Sequence, residues 1–99
     1  MNYLYKYTTD IDNLCKQHHV KTLCAFGSVL TSRFNGDSDI DLIVAFNDIP
    51  LEDYADNYFD FKFSLQDIFK RSVDLLEEQA IKNPYFRQHV DNNKQLIYG

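Results

Sequence analysis

The chain has no tryptophan, only three glycines, two prolines and two cysteines among its 99 residues. So little glycine and proline excludes a low-complexity disordered or collagen-like chain. Cys15 and Cys24 form no Cys-x-x-Cys pair and have no histidine at zinc-site spacing, so they read as reduced structural thiols. No apolar run approaches the ~20 residues a membrane helix needs, and the start Met1-Asn2-Tyr3-Leu4-Tyr5 lacks the apolar stretch and cleavage site of a secretory signal. The expectation is a soluble cytoplasmic protein with no membrane contact. Positive charge is scarce too: ten Lys and Arg against fifteen Asp and Glu leave a net charge of −5 and a pI near 4.9. Binding to nucleic acid draws on Lys and Arg to displace counterions, so a polynucleotide substrate is disfavoured. A single nucleotide is not, because one or two metal ions can neutralise its phosphates.

What the chain does have is apolar bulk. Hydrophobic residues make up 44% of it, with seven Tyr and eight Phe, enough for one core and one domain spanning 1–99. Turn signals are sparse: Gly27, Asn35-Gly36-Asp37-Ser38, Asn47 to Pro50, and Asn83-Pro84. Leu4, Tyr7, Ile11, Leu14 and Cys15 recur at helical spacing, predicting a helix over roughly Leu4 to His18. Thr22 to Phe26 has strand length and ends at Gly27-Ser28, where a short helix from Ser28 to Arg33 is expected, with Ser28 as its cap. Asp39 to Phe46 is the strongest strand, acidic at its entrance and then continuously apolar, as in a strand covered on both faces. Pro50 opens a helix to about Lys70, striped by Leu51, Tyr54, Ala55, Tyr58, Phe61, Leu65, Ile68 and Phe69. Ser72 to Leu76 reads as a third strand and Glu77 to Lys94 as helical with a break near Pro84. Gln95 to Tyr98 is either a short strand or the end of that helix.

Chemistry concentrates in one pattern: Gly27-Ser28, ten intervening residues, then Asp39-Ile40-Asp41. Side chains alternate along a strand, so Asp39 and Asp41 project from the same side. Two such charges ~4 Å apart repel by about 4 kcal/mol at an effective dielectric near 20, a cost that a shared Mg²⁺ relieves. Asp74 interrupts the apolar run Val73-Asp74-Leu75-Leu76, where a buried carboxylate would need a partner. It is the candidate third ligand, or else half of a salt bridge to Arg71 or Lys70. Gly27 would let the backbone approach a phosphate, and Ser28 would add a hydroxyl. Asp37, Asp39 and Asp41 also alternate as in a calcium loop, but Leu42 and Asp48 stand where that loop needs Gly and Glu.

Gly27-Ser28, Asp39-Ile40-Asp41 and the later Asp74 resemble the signature of the minimal nucleotidyltransferase (MNT) family, within the polymerase-β-like superfamily. The resemblance spans Leu23 to Leu76. It implies an α/β (α+β) fold, a mixed sheet of three to four strands flanked by helices. It implies Mg²⁺-dependent transfer of a nucleotidyl group, AMP from ATP, to a tyrosine of a small helical HEPN-type toxin, the MNT protein serving as antitoxin. Carried onto this sequence, Asp39, Asp41 and Asp74 become the catalytic residues and metal ligands, and Gly27 and Ser28 the nucleotide-binding turn. Many members carry Arg and Gly shortly after the Gly-Ser pair, where this chain has Thr31 and Ser32, so Arg33 becomes the candidate cation. The same residues allow a second reading, a module that keeps the carboxylates but neutralises a toxin by occlusion alone.

Elsewhere the residues read more plainly. His18-His19 closes the first helix, where histidine serves as C-terminal charge, and His89 is assigned no catalytic role. Phe59 and Phe63, spaced i, i+4 and offset from the main stripe, are either further core or an exposed patch for a HEPN-type partner or self-association.

Overall fold

The computed structural model describes residues 3–99, and its architecture follows the alternation of apolar residues along the strands. Four strands, β1 (Val20–Phe26), β2 (Ile40–Phe46), β3 (Val73–Glu77) and β4 (Gln95–Tyr98), form one mixed sheet in the order β3-β2-β1-β4. β1 runs antiparallel to both β2 and β4, while β2 and β3 are parallel. A parallel pair needs a long crossover. That role falls to α2 (Leu51–Phe69), with α1 (Thr8–Gln17) beside it.

One sheet face presents Leu23, Ala25, Ile40, Leu42, Val44, Val73 and Leu75, which bury against Ile11 and Cys15 of α1 and Phe61, Leu65 and Phe69 of α2. The other presents Cys24 and Ile43, covered by Val90 of α3 (Pro84–Asn93) with Phe26, Leu76 and Ile81 around them. The expectation that β2 is covered on both faces is met. α3 opens on a cap legible in the sequence, Asn83 Oδ1 accepting from the N–H groups of Tyr85 and Phe86 with Pro84 at the first helical position. α3 covers only part of its face. Phe26, Asp41 and Asp74, which share one rung across three strands, lie on that face.

The differences from the sequence reading lie mostly at element ends. The first helix divides into a 3-10 turn (Tyr3–Tyr7) and α1, and in that turn Tyr3 packs its ring on Phe34 and Phe69. The helix expected over Ser28 to Arg33 is one 3-10 turn, Gly27–Leu30, capped by the extended Phe26 and not by the Ser28 side chain. β1 begins two residues earlier than expected, and Asp39 lies just before β2. After β3 comes a 3-10 turn (Glu78–Ala80) and a separate helix in place of one broken helix. Gln95–Tyr98 is a strand because β1 offers it a free edge. In α2 the stripe holds at Phe61, Leu65 and Phe69. It fails at Leu51, 88% exposed, and at Ala55, which is exposed as well. Phe59 and Phe63 are not core: they are 48% and 54% exposed and stack on each other with centroids 6.0 Å apart.

Candidate active site

Three chain segments meet at the end of the sheet where β1 leaves and β2 and β3 enter. β1 ends at Phe26, and Gly27 reverses the chain with φ of +78°, a left-handed value that glycine adopts without cost. Its missing side chain matters as much as its φ. A Cβ on Gly27 would lie 2.5 Å from Asp41 Oδ2, so the Asp41 carboxylate rests directly against the turn. The turn then closes through Thr31, whose N–H and Oγ1 both donate to Ser28 O at 2.9 Å, while Thr31 Oγ1 accepts from Arg33 N–H at 3.2 Å. Thr31 thus closes the turn with both its backbone and its hydroxyl.

Asp41 pairs in register with Phe26 on one side and Asp74 on the other. Partners on neighbouring strands point to the same face, with backbones ~4.8 Å apart, so the two carboxylates are neighbours. Burial pushes the Asp41 carboxyl above its usual range, and the charges of Asp74 and then Asp39 add to the rise. Charge crowding among Asp39, Asp41 and Asp74 is therefore a property of the folded chain. Among the described residues, no three such side chains are closed into a ready ligand set.

Asp74 corrects the sequence reading in one respect. It is exposed, not a buried charge in an apolar strand, because β3 is an edge strand whose second face α3 leaves open at this end. The alternative salt bridge is also absent. Arg71 gives its Nη1 to the carbonyls of Asn35 and Ser38, and Lys70 is the left-handed cap of α2.

A cleft of about 530 Å³ adjoins the turn, lined by Gly27, Ser28, Thr31 and Arg33 on one wall and by His89 and Asn93 on the other, over Phe26. Gly27, Ser28 and Arg33, grouped from the sequence, are thus together. His89 and Asn93 were not foreseen. Asn93 Nδ2 reaches His89 O at 2.7 Å and Nδ1 at 3.3 Å, and the imidazole stands edge-on to Phe26 at 5.7 Å. The only sequence signal for them was their i, i+4 spacing on α3. His18 stays structural, capping α1 with Nδ1 2.9 Å from Leu14 O.

The donor set is all oxygen, set beside a glycine turn and a cleft large enough for a nucleotide, an arrangement suited to phosphoryl chemistry. A family model described as "Polymerase beta, Nucleotidyltransferase" matches residues 9–99. A Methanocaldococcus jannaschii protein named "Putative protein adenylyltransferase" is 35% identical over 85 residues, covering 86% of this chain and 82% of its own. A second protein of that name and organism is 29% identical over 82 residues, covering 83% and 79%. Among solved structures, one described as "Structure of putative minimal nucleotidyltransferase" is similar at a TM-score of 0.77 and 26% identity, covering 96% of this chain and 95% of that one. A tri-AMPylated Shewanella oneidensis HEPN toxin in complex with its MNT antitoxin provides a match at TM-score 0.65 and 18% identity, over 95% and 71% of the two chains. That likeness is one of fold. The family match runs from the start of α1 through β4 and leaves no strand of the sheet outside it, so the chain belongs to the polymerase beta nucleotidyltransferase family, as one of its minimal members.

Proposed function

We propose that this protein transfers AMP from ATP to a hydroxyl of a partner protein of HEPN toxin type, and so serves as the antitoxin of such a pair in the cytoplasm, with residues 1–99 acting as one catalytic domain. The observation that carries the reading is the Asp41 and Asp74 rung against Gly27, two carboxylates presented beside a turn that admits no side chain and that lines the cleft. The names of the relatives support the acceptor class, both Methanocaldococcus proteins being called protein adenylyltransferases. The Shewanella complex, in which the HEPN toxin carries AMP, supports the partner.

The donor set fits a hard divalent cation such as Mg²⁺, since every candidate ligand is a carboxylate oxygen and a cation would offset both the burial and the neighbouring charges that raise Asp41. Asp39, Asp41 and Asp74 would hold it, and when bound it neutralises phosphate charge and polarises the phosphoryl oxygens. The chain's own groups do the rest. Gly27 admits the triphosphate to the backbone, Ser28 offers a hydroxyl donor, and Arg33 brings positive charge to the same cleft. Asp74, exposed on the edge strand, faces an incoming protein and takes the proton of the attacking hydroxyl. The acceptor oxygen bonds to the α-phosphorus, the bond from that phosphorus to the bridging oxygen breaks, and pyrophosphate leaves. A protein acceptor suits a chain whose described elements are all used in building one sheet and its cover.

The test is label transfer from α-³²P-ATP with Mg²⁺ to a co-purified HEPN-type partner, with native protein beside the Asp39→Asn, Asp41→Asn variant. Labelled partner with the native protein alone is the expected result. A stable complex with no label in either case would replace transfer by occlusion.

A further inference from the structure

Asp39 ends the loop 31–39, so its position depends on whatever holds that loop. Inside the loop, Ser38 N–H donates to Asn35 O at 3.1 Å, and Asn35 N–H donates to Ser38 Oγ at 3.1 Å. From outside, a single side chain ties both ends of that turn. Arg71 Nη1 donates to Asn35 O at 2.8 Å and to Ser38 O at 2.9 Å, the second being the carbonyl of the peptide bond into Asp39. The guanidinium itself rests against two neighbouring rings, with its carbon 4.9 Å from the Tyr3 centroid and 4.5 Å from that of Phe34, the two centroids being 5.1 Å apart. Tyr3 is anchored in turn by its hydroxyl to Phe69 O at 3.3 Å.

Arg71 makes no ion pair among the described residues, although it stands three positions from Asp74. Nor does its charge figure in what raises Asp41, where burial and the two carboxylates act. An arginine that stays out of ion pairs beside a carboxylate cluster, with its planar group stacked and its donors aimed at two carbonyls, is working by shape. Guanidinium can stack and donate at once, and an ammonium group cannot reproduce that.

We infer that Arg71 is a positioning residue: it fixes the Ser38–Asp39 peptide, and through it the Asp39 carboxylate, for cation binding, with Tyr3 and Phe34 as its platforms. The inference rests on the proposed use of Asp39 as a metal ligand. It also gives the 3-10 turn at Tyr3–Tyr7, which does not line the cleft, a share in the site.

The experiment is a Mg²⁺ titration of thermal stability in the absence of nucleotide, on the full chain, giving an apparent Mg²⁺ affinity for native protein, Arg71→Ala, Arg71→Lys, Tyr3→Ala and Ile11→Val. Groups that orient metal ligands typically change affinity 10- to 100-fold, so Arg71→Ala and Arg71→Lys are expected to weaken Mg²⁺ by about tenfold or more. Tyr3→Ala should weaken it by a smaller factor, having lost one platform. Ile11→Val, a destabilising core change in α1 outside the cluster, should lower the melting temperature without moving the Mg²⁺ affinity. Native affinity in Arg71→Ala would overturn the inference, as would its recovery in Arg71→Lys, which restores charge without the stacked fork. A native protein whose melting does not respond to Mg²⁺ would bring down the proposed metal use as well, which separates the two failures.

Discussion

Asp41 and Asp74 occupy the same rung of the parallel pair β2 and β3, with their carboxylates on one face of the sheet. Burial of Asp41, reinforced by the charges of Asp74 and Asp39, raises its folded pKa above the ordinary carboxylate value. A raised folded pKa means the native state holds this proton more tightly than the unfolded chain does. The destabilisation is therefore absent below the unfolded value of ~3.9 and grows as pH rises through the folded one.

Asp41→Asn is accordingly expected to raise the melting temperature at neutral pH, and the gain should disappear as the pH is lowered toward ~4. Paired melts of native and variant protein across that range check it. A gain that stays constant with pH would mean that charge crowding at Asp41 is not its source.

Gly27→Ala carries two penalties. A left-handed φ costs a residue with a Cβ about 1–2 kcal/mol, and the new carbon would meet Asp41 Oδ2 at 2.5 Å. The chain should still fold by circular dichroism, while AMP transfer falls on the order of a hundredfold, as small misplacements of reacting groups do. Native transfer rates would show that the carboxylate can move aside without loss.

The α2 face bearing Phe59 and Phe63 is flanked by the exposed acids Asp56, Asp60 and Asp67, which suits a partner with apolar and basic residues together. If this face docks the HEPN-type protein, Phe59→Asp with Phe63→Asp should weaken the complex by about 2 kcal/mol or more, roughly thirtyfold in Kd, with the fold intact. Pull-down and calorimetry measure it. An unchanged Kd would remove α2 from the interface.

Cys15 is fully buried and its thiol is pushed up to about 12 by burial, with a further rise from Asp12. Cys24 is raised by burial as well. Only the thiolate reacts. Native protein should therefore resist iodoacetamide at mildly alkaline pH and take up label at both cysteines once unfolded. Rapid labelling of the folded chain would contradict the packing of α1 on the sheet if it fell on Cys15, and the cover of α3 if it fell on Cys24.

Much of this was legible in the sequence, for reasons that differ by element. The apolar run Ile40 to Phe46 can satisfy both sheet faces only as a central strand, and Gly27-Ser28 marks a turn at the end of β1 by local geometry alone. Pro84 behind Asn83 marks the start of α3 in the same local way. What escaped depends on residues distant in the chain. The start of the first helix tightens into a 3-10 turn where Tyr3 meets Phe34 and Phe69. Asp74 looks buried among Val73 and Leu75 until β3 is known to be an edge. Arg71 read as a salt-bridge candidate, since nothing nearby announces that the carbonyls of Asn35 and Ser38 will fold back onto it.

The sheet order sets a schedule for synthesis. β1 lies between β2 and β4, so a strand made early keeps one edge open until Gln95–Tyr98 have left the ribosome. Pairings between such distant segments form slowly, and an open edge invites pairing with other chains. A nascent chain can thus assemble α1, β1, β2, α2 and β3 while its sheet is still unfinished. Loss of β4 would leave the turn and all three acids in place on a sheet with a bare flank, so a fault in that strand should surface as aggregation before it surfaces as lost chemistry.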